Sequence, residues 1–204
     1  MKVLNLYAGI GGNRKLWGGV NMEITAVELD TEIAKIYSEL YPNDTVIIGD
    51  AHEYLLKHFR EYDFIWASPP CPTHSVLQMC NYHKPENIKY ADMTLYQEIV
   101  LLKTFYKCMW VIENVTPYYQ PLIEPTFKID RHLFWSSAYI WNYQTDSNCY
   151  DSIRDNNKAM AEAYGFDIDF LKRFDVDVRK ILRNCVKPEI GKYIFEKVTG
   201  VKHV

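Results

Sequence analysis

Five short apolar runs punctuate the first 114 residues of the chain: KVLNLY (2–7), MEITAVELD (22–30), TVIIGD (45–50), YDFIWA (62–67) and MWVIEN (109–114). Each has the length of a strand, and the gaps between them carry helical patterns. TEIAKIYSEL (31–40) is apolar at Ile33, Ile36, Tyr37 and Leu40 behind a capping Asp30 or Thr31, and TLYQEIVLLKTFYK (94–107) repeats that period. A helix-like segment is also expected between the first two runs. Strands alternating with helices at this spacing predict an α/β fold, a mostly parallel sheet covered by helices on both faces. Beyond residue 115 the alternation stops. TPYYQPLIEP is proline-rich, FKIDRHLFWSSAYI reads as one or two strands, residues 150–180 read as polar helix, and Pro188 marks a last helix start.

In such a sheet, ligands bind beyond the carboxyl ends of the strands. Asn5, Tyr7, Gly9, Gly11, Gly12, Glu28, Asp50, Ser68, Cys71, Glu113 and Asn114 all fall at or just past those ends. The glycines let the backbone turn tightly and approach a ligand. Glu28 follows by about the 20 residues at which an acid can take both hydroxyls of a ribose. That pattern fits a nucleoside-containing cofactor and a plain packing turn equally well. Asp50 is suited to an adenine amino group, or to capping the helix AHEYLLKHF.

SPPCP (68–72) sets one cysteine between two prolines just after the fourth run. A lone cysteine is most often a small buried apolar residue, whereas one at a strand end in a rigid turn is placed to act as a nucleophile. The other cysteines, Cys80, Cys108, Cys149 and Cys185, are scattered without a C-x-x-C pair, so neither a disulfide framework nor a metal site is expected. No apolar run approaches the roughly 20 residues of a membrane span, and no signal-peptide pattern opens the chain, which predicts an intracellular protein. The net charge of −3 excludes a chain that coats nucleic acid through bulk positive charge, while leaving local basic faces open.

LNLYAGIGG, ELD, GD, SPPCP, ENV and RNCVKP occur in the order and near the spacing of the DNA cytosine-5 methyltransferases, which the chain resembles over residues 1 to 115 and again at 183–198. The resemblance implies a Rossmann-like fold and S-adenosylmethionine as cofactor. It makes Cys71 a thiolate that adds to carbon 6 of cytosine, Glu113 the acid that holds ring nitrogen 3, and Asn114 the residue that fixes the loop around it. On the cofactor side it implies Asn5, Tyr7, Ala8, Gly9, Gly11 and Gly12 after the first strand, with Glu28 and Leu29 after the second. Asp50 and Ala51 follow the third, Pro70 precedes the nucleophile, and Asn184 and Val186 come from the late asparagine-x-valine motif. The implied partner is DNA, duplex or single-stranded, with the base flipped out. A restriction-modification setting in the cytoplasm of a bacterial or phage-infected cell follows from the same resemblance.

Two departures from the family stand out. Arg131 in DRHLFWSS follows Glu113 unusually closely and is the counterpart of one arginine near the cytosine, or else a surface salt bridge, while Leu133 stands where a second arginine belongs. The target-recognition region is cut to residues 137–182, which suits short or relaxed specificity, or help from a partner protein. The organisation expected is a catalytic and cofactor core at 1–135, a connecting region at 136–182 and a returning segment at 183–204. Residues 72–92 would close over the base, with His74, His83, Lys84 and Lys89 toward phosphates and Val76, Leu77 and Met79 wedged into the stack. Two rival readings are a tRNA cytosine-5 methyltransferase and a catalytically inactive cofactor- or DNA-binding module.

Overall fold

The computed structural model describes residues 1–18, 21–140 and 156–201. Its centre is a seven-stranded sheet made of β1 (Lys2–Leu6), β2 (Glu23–Glu28), β3 (Thr45–Ile48), β4 (Phe64–Ala67), β5 (Met109–Val115), β6 (Phe127–Ile129) and β7 (His132–Ser136), in the order β3-β2-β1-β4-β5-β7-β6. The first five strands are parallel, with Leu6 beside both Val27 and Ala67, and Ala67 beside Ile112. β7 runs antiparallel between β5 and β6. This is the Rossmann-like arrangement. All five of the apolar runs are strands, because a parallel strand buried on both faces needs apolar side chains at nearly every position; in β4 all four residues are buried.

Alternate residues of each strand feed two cores. Leu4, Leu6, Val27, Ile65, Ile112 and Trp135 pack against α2 (Ala51–His58) and α3 (Thr94–Phe105) through Leu55, Leu95, Ile99 and Leu102. Val3, Ile24, Phe64, Trp66, Val111 and Phe134 face the other way, onto Ile190, Ile194 and Phe195 of α7 (Pro188–Thr199). Ala26 on that second face meets Tyr37 of α1 (Thr31–Leu40). A third apolar cluster joins Ile10 and Ile36 to α4 (Asn157–Ala163), α5 (Ile168–Leu171) and α6 (Val178–Arg183) through Met160, Tyr164, Leu171, Ile181 and Leu182. The described part of the connecting region is thus a helical layer packed on α1 and the glycine-rich turn. Residues 141–155 lie outside the described residues.

Two expectations need correction. No helix forms in the described residues between β1 and β2; residues 12–16 are turns, with Lys15 N–H donating to Gly12 O and Trp17 N–H to Arg14 O. Paired glycines at 11 and 12 disfavour helix, and Trp17 is drawn into the second core, its ring stacked at 4.8 Å on Phe195. The span 72–92, whose sequence shows no secondary-structure pattern, carries 3-10 turns at Val76–Asn81 and Pro85–Asn87. His74 is buried, so it offers no charge to a phosphate.

Candidate active site

The carboxyl ends of β1 to β5 open on one edge of the sheet. After β1 the chain turns at once: Tyr7 takes a left-handed φ of 54°, Gly9 55° and Gly11 75°. The turn is closed by Ala8 N–H donating to Val27 O and Gly11 N–H to Ala8 O. Glu28, at the end of β2, accepts from Gly9 N–H at 2.8 Å and from Asp30 N–H at 3.0 Å, so its carboxylate is set against the glycine turn. Leu29 beside it is exposed, and Asp50, after β3, caps α2 by accepting from Glu53 N–H ahead of Ala51.

Not every residue at these strand ends faces outward. Asn5 is fully buried and its amide pairs with Asn13 beneath the turn. A Cβ on Gly12 would lie 2.7 Å from Val186 O and 2.8 Å from Cys185 Cβ, so this glycine exists to let the Asn184–Val186 segment approach the turn. Asn184 is the exposed C-cap of α6, while Val186 is buried in the second core. The late motif is brought to the glycine turn by direct backbone contact.

Cys71 lies just past β4, partly buried. Asn114 reaches across from β5: its Nδ2 donates to Pro69 O at 2.9 Å, and its Oδ1 accepts from Val115 N–H. A buried amide thus pins the turn that carries the thiol, with Pro70 between. Glu113, one residue back, is buried and bonded to Ser68, and burial pushes its carboxyl up to about 7 against the opposing pull of Ser68 and Arg131. Burial and the nearby Glu113 raise the Cys71 thiol as well, with Arg131 lowering it. The thiol, the carboxyl and the guanidinium therefore share one field. Arg131 itself donates to Arg183 O at 3.3 Å, and Lys187 bonds Asp130 at 2.7 Å, which clamps the β6–β7 turn to the late motif.

His132, His52 and Glu98 escaped the sequence reading, and so did the partners of His74 and Tyr7. His132 Nε2 stands 3.7 Å from Glu113 Oε1, both residues being 7% exposed. His74 shares a 2.5 Å hydrogen bond with the Tyr119 hydroxyl, and burial lowers its basicity. Tyr7 donates to Glu98 Oε1, with His52 on the same oxygen. The signal for Glu98 was present: it falls on the apolar stripe of α3 with Leu95 and Leu102. The two histidines carry no local signal, since their partners come from distant elements.

A carboxylate held by the glycine turn thus lies on the same edge of an α/β sheet as a second, thiol-bearing turn. A model of the C-5 cytosine-specific DNA methylases matches residues 1–134, and the chain belongs to that family. Its cofactor is S-adenosylmethionine. The rim fits that group: a Cβ at Gly9 or Gly49, on either side of Glu28, would meet nothing within 4 Å, so a ligand has open space there.

Among solved structures the chain is similar to a DNMT2 mutant from Spodoptera frugiperda, at 26% identity over 56% of this chain and 35% of that one, TM-score 0.40. It is similar to the Entamoeba histolytica methyltransferase EhMeth at 20% identity, 56% and 38% coverage, TM-score 0.36. A putative DNA modification methyltransferase from an Escherichia coli prophage gives 18% identity, 59% and 33% coverage, TM-score 0.38. The chain therefore aligns with well under half the length of each. No curated protein sequence matches it. Among the described residues no helix is long and apolar enough to cross a membrane, and no cluster is suited to a metal ion.

Proposed function

We propose that the chain methylates carbon 5 of cytosine in DNA through a covalent adduct between Cys71 and carbon 6 of a flipped-out base. The observation that carries this reading is the shared field of Cys71, Glu113 and Arg131 at the ends of β4 and β5, with the Glu113 carboxyl near 7. Carbon 5 of cytosine is too weak a nucleophile to take a methyl group unaided. Addition of a thiolate to carbon 6, with the Glu113 proton passing to nitrogen 3, leaves an enamine whose carbon 5 can. Carbon 5 then takes the methyl group, and loss of its proton expels the thiolate.

In this reading Asn114 holds the Cys71 turn and Arg131 neutralises charge beside it. Tyr7, Ala8, Gly9, Gly11, Glu28, Leu29, Asp50, Ala51 and Pro70 surround S-adenosylmethionine, which supplies the methyl group when bound. Asn5, Gly12 and Val186 support that pocket from beneath, in keeping with their burial or close contacts, and the exposed Asn184 just ahead of them completes the late motif. Residues 1–135 and 183–204 act as the catalytic unit, and the exposed Tyr82, His83, Lys84, Lys89 and Tyr90 of the span after Cys71 meet the nucleic acid. A partner protein and a cytoplasmic setting are compatible additions to this proposal.

The test is to incubate the protein and Cys71→Ser with S-adenosylmethionine and matched DNA and RNA carrying 5-fluorocytosine. Fluorine at carbon 5 blocks release of the thiol, so the wild type is expected to form a denaturation-resistant adduct with DNA and the variant none. An adduct with RNA alone would move the substrate to RNA. No adduct with either polymer would overturn the covalent mechanism.

A further inference from the structure

Glu98 is fully buried on α3, on a face otherwise built from Leu95, Ile99 and Leu102. A carboxyl in such surroundings is costly unless its oxygens are matched. Oε1 is matched twice, by the Tyr7 hydroxyl at 2.5 Å and by His52 Nδ1 at 3.1 Å; Oε2 has no hydrogen-bond partner. A residue needed only to fill space would be apolar, like its neighbours. The two groups it holds come from the two turns that flank the cofactor edge. Tyr7 opens the glycine turn after β1, and His52 follows Asp50 and Ala51 at the start of α2.

Tyr7 also sits in left-handed backbone at φ 54°, a strained conformation for a non-glycine residue. Its ring packs on the first core and its hydroxyl bonds Glu98, and both contacts oppose that strain. We propose that Glu98 is a positioning residue for S-adenosylmethionine: it locks Tyr7 and His52 into one hydrogen-bonded unit and so sets the shape of both cofactor turns. The proposal rests on the family's use of that cofactor at this edge and does not depend on the Cys71 chemistry.

The unit also reaches the span that follows Cys71. Asp92, just ahead of α3, donates its N–H to Thr73 Oγ1 and caps the helix start by accepting from Thr94 N–H. The charged and titratable groups facing the unit are Tyr7 from the β1 turn, Asp50 and His52 from α2, and Asp92 and Glu98 from α3. Burial favours the neutral form of Glu98, while Glu98 favours the charged form of His52. A ligand that fixes Tyr7 would therefore act on the His52 titration through their shared Glu98 oxygen.

Two variants, Tyr7→Phe and Glu98→Leu, and their combination test this, with binding of S-adenosylhomocysteine measured by calorimetry and His52 followed by NMR titration. Each single variant should weaken binding by up to about tenfold, the scale of one net hydrogen bond. The double variant should be no weaker than the worse single, since both remove the same link. The His52 midpoint should fall in Glu98→Leu, and in the wild type it should move when S-adenosylhomocysteine is bound, by the reciprocity of linked equilibria. A merely structural Glu98 would leave that last readout unmoved. Affinities within twofold of wild type, additive losses, or a His52 titration indifferent to the ligand would each overturn the proposal. A wild type that fails to bind S-adenosylhomocysteine would instead remove the cofactor assignment on which it rests.

Discussion

Glu113 and Cys71 both ionise less readily than in water, and each one's charge opposes the other's. Above about 7 the site therefore holds a single proton between the two groups, and in the proposed reaction the working form is the minor arrangement with that proton on Glu113 and the thiol ionised. The pH profile of such a pair has macroscopic limbs. Activity should rise through about 7 as the doubly protonated site loses its first proton, and fall only where the second leaves, above the thiol's usual range. In Glu113→Gln the limb near 7 should vanish along with most of the turnover. The same carboxyl makes a stability prediction. Its pKa is raised from 4.5 to about 7, so the folded protein binds the proton more tightly than the unfolded chain, and stability from this group is lost as pH climbs from 4.5 through 7. Above pH 7 the buried carboxylate costs roughly 3 kcal/mol. Denaturant unfolding at pH 8 should find Glu113→Gln more stable than wild type by up to that amount, and the two should converge near pH 4.5.

Helix α7 meets the turn after β1 at Gly191, where a Cβ would lie 2.3 Å from Asn13 O and 2.7 Å from its Cα. Alanine favours helix over glycine by about 1 kcal/mol, yet Gly191→Ala should destabilise by roughly 1–3 kcal/mol because backbone must move. Gly49→Ala, whose added carbon meets nothing within 4 Å, should leave thermal melting unchanged. Contacts of this kind mark where the sequence stops being legible. The five parallel strands, α1, α2 and α3 could be read because burial on both faces demands apolar runs and burial on one demands the helical period. Gly11 and Gly12 were read as a ligand turn, but only the fold shows Gly12 seating the Cys185–Val186 backbone and Trp17 replacing a first helix. Cys71, Glu113 and Asn114 were legible as motifs. His74 on Tyr119 and His132 near Glu113 were not, since each pairing spans elements whose register no local pattern encodes.

For the chain as a whole, the division of surface limits how DNA can be read. Helices α4, α5 and α6 spend their apolar residues on the cluster with Ile10 and Ile36, and Arg173 bonds Glu39 of α1, so this layer buttresses α1 and the glycine turn. Among the described residues, the exposed side chains best suited to nucleic acid lie instead in the span after Cys71, where Tyr82 and Tyr90 are 70% and 89% exposed and accompany Lys84 and Lys89. Aromatic faces stack on any base, and lysines hold phosphates, so both give affinity with little sequence information. A bidentate base contact discriminates by about 1–3 kcal/mol, and this span has room for few. The chain should therefore methylate cytosines in a short or relaxed context. Its binding should weaken steeply with salt, because a net charge of −3 adds no general attraction to the few local cations. Lys84→Ala and Lys89→Ala should each lower the slope of log affinity against log salt by about one, uniformly across sequences. Sequencing a methylated random DNA library decides the first point: a requirement for five or more fixed base pairs by this chain alone would assign base readout to other residues, and the unchanged salt slope of both lysine variants would remove the span after Cys71 from the interface.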